Sequence, residues 1–278
     1  MHFTKMHGTG NDFALVDTRV EEERDWAALA VPLCDRHFGV GADGLILIRE
    51  TADLGYQMVM YNPDGSRAEM CGNGIRCFAK LLYEAGDIGR EQVQVVTDGG
   101  RRWVRVEDNC PDDFVVAVGM GVPEFDPSRV PVDLPGAAVL DHALQIEGTE
   151  FAISAVLMGN PHAVAFVDSV DGVDLPRVGP LMEHHPAFPE RINFEICQVL
   201  GPGQLRMRVW ERGVGITLAC GSGAAATVAA AIRTGRVAPG QLRMTVDGGE
   251  LRFDWPGEGR ELVMTGLAAT VYDGVWRR

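Results

Sequence analysis

The stretch MCGNGIRC, residues 70–77, returns as ACGSGAAA, residues 219–226. Cys71 and Cys220 thus match at an offset of 149 positions. The same offset relates Gly10-Asn11 in GTGNDFALVD to Gly159-Asn160 in MGNPHAVAFVD, Asp98-Gly99-Gly100 to Asp247-Gly248-Gly249, and Gly86 to Gly235. Several matches in one register indicate duplication of a whole domain, because the period far exceeds that of a solenoid repeat. A chain of 278 residues has room for two domains of ordinary size.

Working outward, the pattern between these blocks is mostly strand. Alternating or β-branched runs occupy FALVDTRV, DGLILIRE, YQMVMYN, VQVVTDGG, RRWVRVED and FVVAVGMG in the first half. FAISAVLMG, HAVAFVDSV, FEICQVLG, QLRMRVWE, LRMTVDGG, ELRFDW and ELVMTG repeat them in the second. Each half carries one strongly helical stretch, 74–85 and 223–234, closed by Gly86 or Gly235 in the C-cap position. Shorter helices are expected near 26–36 and 180–185, and the Pro- and Asp-rich segment 123–135 reads as an interdomain connection. The predicted fold is α+β: two pseudo-symmetric domains, each a curved, mostly antiparallel sheet or barrel wrapped round a central helix. A cleft between two such copies is a favoured place for a small-molecule site.

Composition excludes several classes. Hydrophobic content of 46% and charge of 23% are those of a globular chain. A net charge of -14 repels phosphate backbones and anionic lipid surfaces, so neither nucleic acid nor membrane is an expected partner. No run of 18 apolar residues occurs, and MHFTKMHGTGNDF lacks the apolar core of a signal peptide. The only lysines are Lys5 and Lys80, neither placed like a Schiff-base anchor, which argues against pyridoxal phosphate. The six cysteines form no CxxC pair and read as reduced thiols. Cys34, Cys77, Cys110 and Cys197 are expected to be small buried hydrophobes.

Cys71 and Cys220 differ from these because each opens the central helix of its half. A helix start offers free N–H groups and about half a positive charge, which is expected to lower a thiol's pKa and to hold a carboxylate. A thiolate on one face of an α-carbon would remove its proton and a thiol on the other face would return one, giving inversion. Helix N–H groups would stabilise the enolate-like charge that develops on the substrate carboxylate.

At these residues the sequence resembles diaminopimelate epimerases. The blocks that carry the resemblance are KMHGTGNDF, YNPDGSRAEMCGNGIRC, MGNPHAV, FPERINFE, VWERGVG and LACGSGAAA, which together span nearly the whole chain. The resemblance implies a cytoplasmic, commonly dimeric enzyme of lysine and cell-wall precursor synthesis. Such an enzyme converts LL-2,6-diaminopimelate to the meso form with no cofactor and no metal. It further implies domains of 1–118 plus 266–278, carrying Cys71, and 119–265, carrying Cys220, the last strand returning to the first domain.

The implied roles are as follows. Cys71 and Cys220 are the catalytic pair, and Gly72, Asn73, Gly221 and Ser222 hold the reacting carboxylate through backbone N–H groups. Asn11, Asn62, Asn160, Asn193, Glu211 and Arg212 line the substrate pocket, with Arg212 on the distal carboxylate. His162 and Glu211 tune the thiols. By the repeat offset, Asn11 and Asn160 are equivalent, as are Asn62 and Glu211, and a bidentate arginine suits a carboxylate. Other readings stay open residue by residue: Asn62 as a turn opener with Asp64-Gly65, His162 as a packed core histidine, Arg212 as a solvated strand-end charge.

Two positions depart from the family pattern, Gly44 where glutamine is common and Ile216 where glutamate is usual. They motivate a second reading, a two-thiol racemase of a one-carboxylate amino acid such as histidine or proline. A third is a redox disulfide between Cys71 and Cys220, or a zinc site completed by His162.

Overall fold

A computed structural model describes residues 1–51, 55–110 and 113–277. The chain divides into two compact units, residues 1–119 with 265–278, and 120–264. In chain order the first segment holds β1 (His2–Gly8), β2 (Asn11–Asp17), α1 (Trp26–Cys34), β3 (Gly44–Thr51), β4 (Gly55–Tyr61), β5 (Arg67–Ala68), α2 (Gly72–Glu84), β6 (Val93–Thr97), β7 (Gly100–Asn109) and β8 (Phe114–Gly121). The second holds β9 (His142–Ile146), β10 (Thr149–Leu157), β11 (Pro161–Phe166), α3 (Leu175–Glu183), β12 (Asn193–Gly201), β13 (Gln204–Glu211), β14 (Gly215–Thr217), α4 (Gly221–Arg233), β15 (Gly240–Val246), β16 (Gly249–Trp255) and β17 (Leu262–Leu267). β18 (Ala269–Val275) returns to the first unit and pairs antiparallel with β1.

The duplication extends to the pairing register. β2 runs parallel to β3 with Phe13 opposite Gly44, and β11 runs parallel to β12 with His162 opposite Asn193. β4 meets β6 in parallel at Tyr56 and Val95, and β13 meets β15 at Leu205 and Met244. Every one of these residues is displaced by the same 149 positions as the two cysteines. All other described pairings within the units are antiparallel, so the expected α+β architecture holds in both.

Each sheet is covered on both faces, which is why its middle strands read as continuous apolar runs. In the first unit α1 covers one face, packing Trp26, Ala30 and Leu33 on Ala14, Leu45, Leu47 and Val59. The intervening residues face α2; Gly74 of that helix lies so close to Ile46 that a Cβ there would sit 2.7 Å from Ile46 Cδ1. In the second unit α3 covers the matching face, packing Leu175, Val178 and Met182 on Ala163, Phe194 and Ile196. α2 and α4 are thereby walled in, with 10 of 13 residues of each buried. Gly86 and Gly235 close them at φ of 80° and 73°, conformations glycine adopts without a Cβ penalty.

Three expectations need correction. The helix expected at 180–185 begins at Leu175, because Asp174 and Pro176 start it; Pro180 lies inside it and only removes one backbone donor. The segment 123–135 is no free connection: Val130 and Val132 are buried in the core of the second unit, and Glu124 bridges Leu157. Cys110 is exposed rather than buried, because it sits in the turn after β7, where its N–H bonds to Asp108.

α3 also braces the loop after β13. Gly179 lies against the Trp210 indole, with ring atoms 2.5–2.7 Å from where a Cβ would stand. The buried Glu183 accepts from Trp210 Nε1 at 2.8 Å and from the Gly213 N–H at 3.0 Å. A Gly179→Ala change should therefore destabilise the protein. Removing a helical glycine gains about 1 kcal/mol, but forcing a methyl into a rigid ring costs roughly 1–3 kcal/mol. Urea melts should show a lower midpoint than wild type; a raised midpoint would contradict this packing.

Candidate active site

Both cysteines are N-caps. Cys71 Sγ accepts the Gly74 N–H at 3.3 Å, and Cys220 Sγ accepts the Gly223 N–H at 3.4 Å. Both take the extended backbone of an N-cap residue. Helical geometry leaves the next N–H groups, those of Gly72 and Asn73 and of Gly221 and Ser222, with no carbonyl one turn back. The residues expected to hold a carboxylate are thus the first two of each helix.

In the first unit, Asn11 turns its Nδ2 to Asp43 Oδ2 at 2.7 Å. A carboxylate only accepts, so the Asn11 Oδ1 faces the other way, to Cys71 Sγ at 3.7 Å and Asn73 Nδ2 at 3.3 Å. Arg76 lies one turn into α2 and is wholly buried. It donates to Gly72 O at 3.1 Å, Thr9 Oγ1 at 2.8 Å and Leu267 O at 3.0 Å, and burial pushes it down to about 10. Asn62 opens the turn that Gly65 completes at φ 84°, its Nδ2 on Ser66 Oγ at 2.9 Å; the turn reading of this residue describes its conformation. Gly44 has no room for a larger side chain, since a Cβ would stand 2.9 Å from Met60 Cε and 3.0 Å from Tyr61 O.

In the second unit, His162 is wholly buried, with Nδ1 2.7 Å from Glu195 Oε1 and Nε2 2.9 Å from Asn160 Oδ1. Both ring nitrogens are engaged, which leaves none for a metal. Asn193 donates to Pro161 O at 2.8 Å and accepts from the Arg212 N–H at 2.9 Å, so its amide braces the Arg212 loop and keeps one donor and one lone pair. Glu211 accepts from Thr217 Oγ1. Arg212 Nη1 donates to Glu190 O at 3.0 Å, and no carboxylate pairs with its guanidinium among the described residues. Ile216 on β14 is exposed.

Thiol ionisation separates the cysteines. Burial pushes Cys77 and Cys197 up to about 12 and Cys34 up to about 11, which makes them inert as bases. Cys220 departs from the expectation that a helix start lowers its pKa. Burial raises it well above the ordinary thiol value, with Glu211 and Glu195 adding to the rise; Ser222 and the Gly223 N–H only oppose this. Sequence reasoning passed over Glu195 and Arg76. Glu195 stands where the repeat places Ile46, and Arg76 where it places Ala225. A charge opposite an apolar repeat partner was the available signal.

The sequence model of diaminopimelate epimerases matches residues 3–125 and 154–271. The chain is 46% identical over 279 residues to a diaminopimelate epimerase of Pelotomaculum thermopropionicum, covering 99% of this chain and 98% of that one. It is 44% identical over 275 residues to the diaminopimelate epimerase of Moorella thermoacetica, again covering 99% and 98%. Among solved structures it is similar to a hydroxyproline epimerase from Agrobacterium vitis, with TM-score 0.72 and 17% identity over 99% of this chain and 91% of that one. A probable proline racemase from Agrobacterium radiobacter aligns with TM-score 0.75 and 14% identity over 99% and 92%. These two likenesses concern the fold; the sequence matches go further, and by them the chain belongs to the diaminopimelate epimerase family.

Proposed function

We propose that the protein is an isomerase that converts LL-2,6-diaminopimelate to meso-diaminopimelate without a cofactor, by proton transfer between two cysteines. Family membership supports the substrate, and the observation that carries the chemistry is the pair of repeat-related N-cap thiols. The product serves lysine and peptidoglycan precursor synthesis. The working form is a cytoplasmic homodimer, with residues 1–118 plus 266–278 and 119–265 as the two epimerase domains.

One sulfur, as thiolate, takes the α-proton, and the C–H electron pair moves into the carboxylate as an enediolate. The other sulfur, as thiol, delivers its proton to the opposite face. The carbon is inverted and the two sulfurs have exchanged roles, so no net proton is gained or lost. N–H groups of Gly72, Asn73, Gly221 and Ser222 meet the charge as it grows on the carboxylate, and exclusion of water strengthens them. Asn11, Asn62, Asn160, Asn193 and Glu211 meet the remaining polar groups of the substrate. Arg212 takes the distal carboxylate; its lack of an anionic partner among the described residues suits that role. His162 and Glu211 tune the thiols.

The test is meso-diaminopimelate formation from the LL isomer, resolved by chiral chromatography, beside a panel of one-carboxylate amino acids. Turnover of diaminopimelate alone is expected. Faster turnover of proline or histidine would replace this reading with that of a racemase. Cys71→Ala and Cys220→Ala should each abolish epimerisation with the melting transition unchanged, and the Cys→Ser variants should be severely impaired, a hydroxyl being far less acidic than a thiol. Activity near wild type in either alanine variant would remove the mechanism. Arg212→Met should lower kcat/KM for diaminopimelate roughly 100-fold, the cost of about 2–3 kcal/mol in charge-assisted hydrogen bonds. An unchanged kcat/KM would displace Arg212 from the distal carboxylate.

A further inference from the structure

The two helix starts are alike in backbone and opposite in what lies behind them. Behind Cys71 the repeat positions carry Phe13 and Ile46, both apolar and buried, and α2 itself carries the buried cation Arg76. Behind Cys220 the same two positions carry His162 and Glu195, both wholly buried, and α4 carries Ala225. The Glu195 carboxyl lies against Gly223, where any Cβ would overlap it, and Gly223 is the residue whose N–H caps onto Cys220 Sγ. Its Oε1 is on His162 Nδ1 at 2.7 Å, while Oε2 is buried with no hydrogen-bond partner. A carboxyl buried in such a place is costly unless it is paired and hydrogen-bonded, and His162 is the partner it has.

Resting on the reading of Cys220 as an acid–base group, we propose that Glu195, with His162 as its proton partner, is a positioning residue that holds Cys220 in the thiol form, a device the Cys71 helix start lacks. Asn160 Oδ1 accepts from His162 Nε2–H, and the hydrogen bond between Nδ1 and Oε1 locks the histidine–glutamate pair in place. It is oriented with its carboxyl end toward Gly223 and its imidazole end toward Asn160. A thiolate at Cys220 would face that carboxyl end, which raises the cost of ionising it; Coulomb repulsion from Glu195 acts in this sense on the thiol. Arg76 beside Cys71 has the reverse sign. Two chemically identical residues on duplicated scaffolds are thereby made unequal, so that one begins as acid and the other as base.

Glu211 on β13 also acts on the thiol and is held by Thr217. From β10 and β16, which pack on α4, Glu150, Glu250, Arg252 and Asp254 are exposed. From β11 and β12 the groups facing inward are His162, Glu195 and the buried thiol Cys197, which burial pushes up to about 12 and so keeps neutral.

The experiment is the pH dependence of iodoacetamide alkylation, followed peptide by peptide in the intact protein by mass spectrometry. It is run for wild type, Glu195→Gln and the double variant His162→Phe/Glu195→Ile, which installs the residues found behind Cys71. Replacing both partners by apolar groups avoids stranding a buried polar atom, so the double variant keeps the test open if the single one fails to fold. In either folded variant the Cys220 limb should move to lower pH, alkylation at fixed pH below the limb rising roughly tenfold, with the Cys71 limb unmoved. Loss of a structural contact alone would shift both limbs or neither. A Cys220 limb identical to wild type in a folded variant overturns the proposal, as does a shift of equal size at both cysteines. The readout needs no substrate, so its failure is distinct from failure of wild type to epimerise diaminopimelate.

Discussion

The hydrogen bond from the third helical N–H to a cysteine sulfur, made once at Gly74 and once at Gly223, is the constraint on which the proposed chemistry depends. It fixes the thiol at the end of a buried helix and leaves the next two N–H groups pointing out of the helix end. Sulfur is a weak acceptor and a poor cap by the standards of serine or aspartate, so its use here costs some helix stability. The surrounding sheet makes this tolerable. α2 and α4 are buried along most of their length, and packing rather than capping holds them.

Around that shared cap the two units have diverged. The first surrounds its thiol with neutral amides and a buried cation, Asn11, Asn73 and Arg76. The second surrounds its thiol with carboxylates, Glu195 and Glu211. A buried charge is expensive in either place, yet each is supported: Arg76 by three oxygen acceptors, Glu195 by His162. Duplication supplied the geometry, and substitution at a few buried positions supplied the difference in charge between the two helix starts.

Much of this was legible in the sequence. The offset of 149 positions located both helix starts, both asparagines and the matching strands, because register in a sheet with buried faces is set by residue identity on each face. The family blocks supplied the substrate class. Other features were hidden for physical reasons. Pro180 looks like a helix start, but a proline inside a short helix is tolerated when packing on Trp210 holds the turn. Cys110 looked like a small core residue because cysteine composition says nothing of the turn it sits in. The direction of the Cys220 shift could not be read from its helix position. It follows from burial, then from Glu211, and then from Glu195, which approaches across a parallel pair of strands rather than along the chain. Asn193 read as a ligand to substrate, but its amide first braces the Arg212 loop.

The central claim is that two different sulfurs handle the proton leaving and the proton arriving at one carbon. Its most direct test is epimerisation of LL-diaminopimelate in D2O, stopped at low conversion, with deuterium at the α-carbons located by mass spectrometry and NMR. Two bases predict one deuterium at the inverted carbon of every meso product, with almost none in the recovered LL substrate. Product that keeps its original proton, or recovered substrate labelled as fast as product forms, would show a single group serving both faces and would contradict the account.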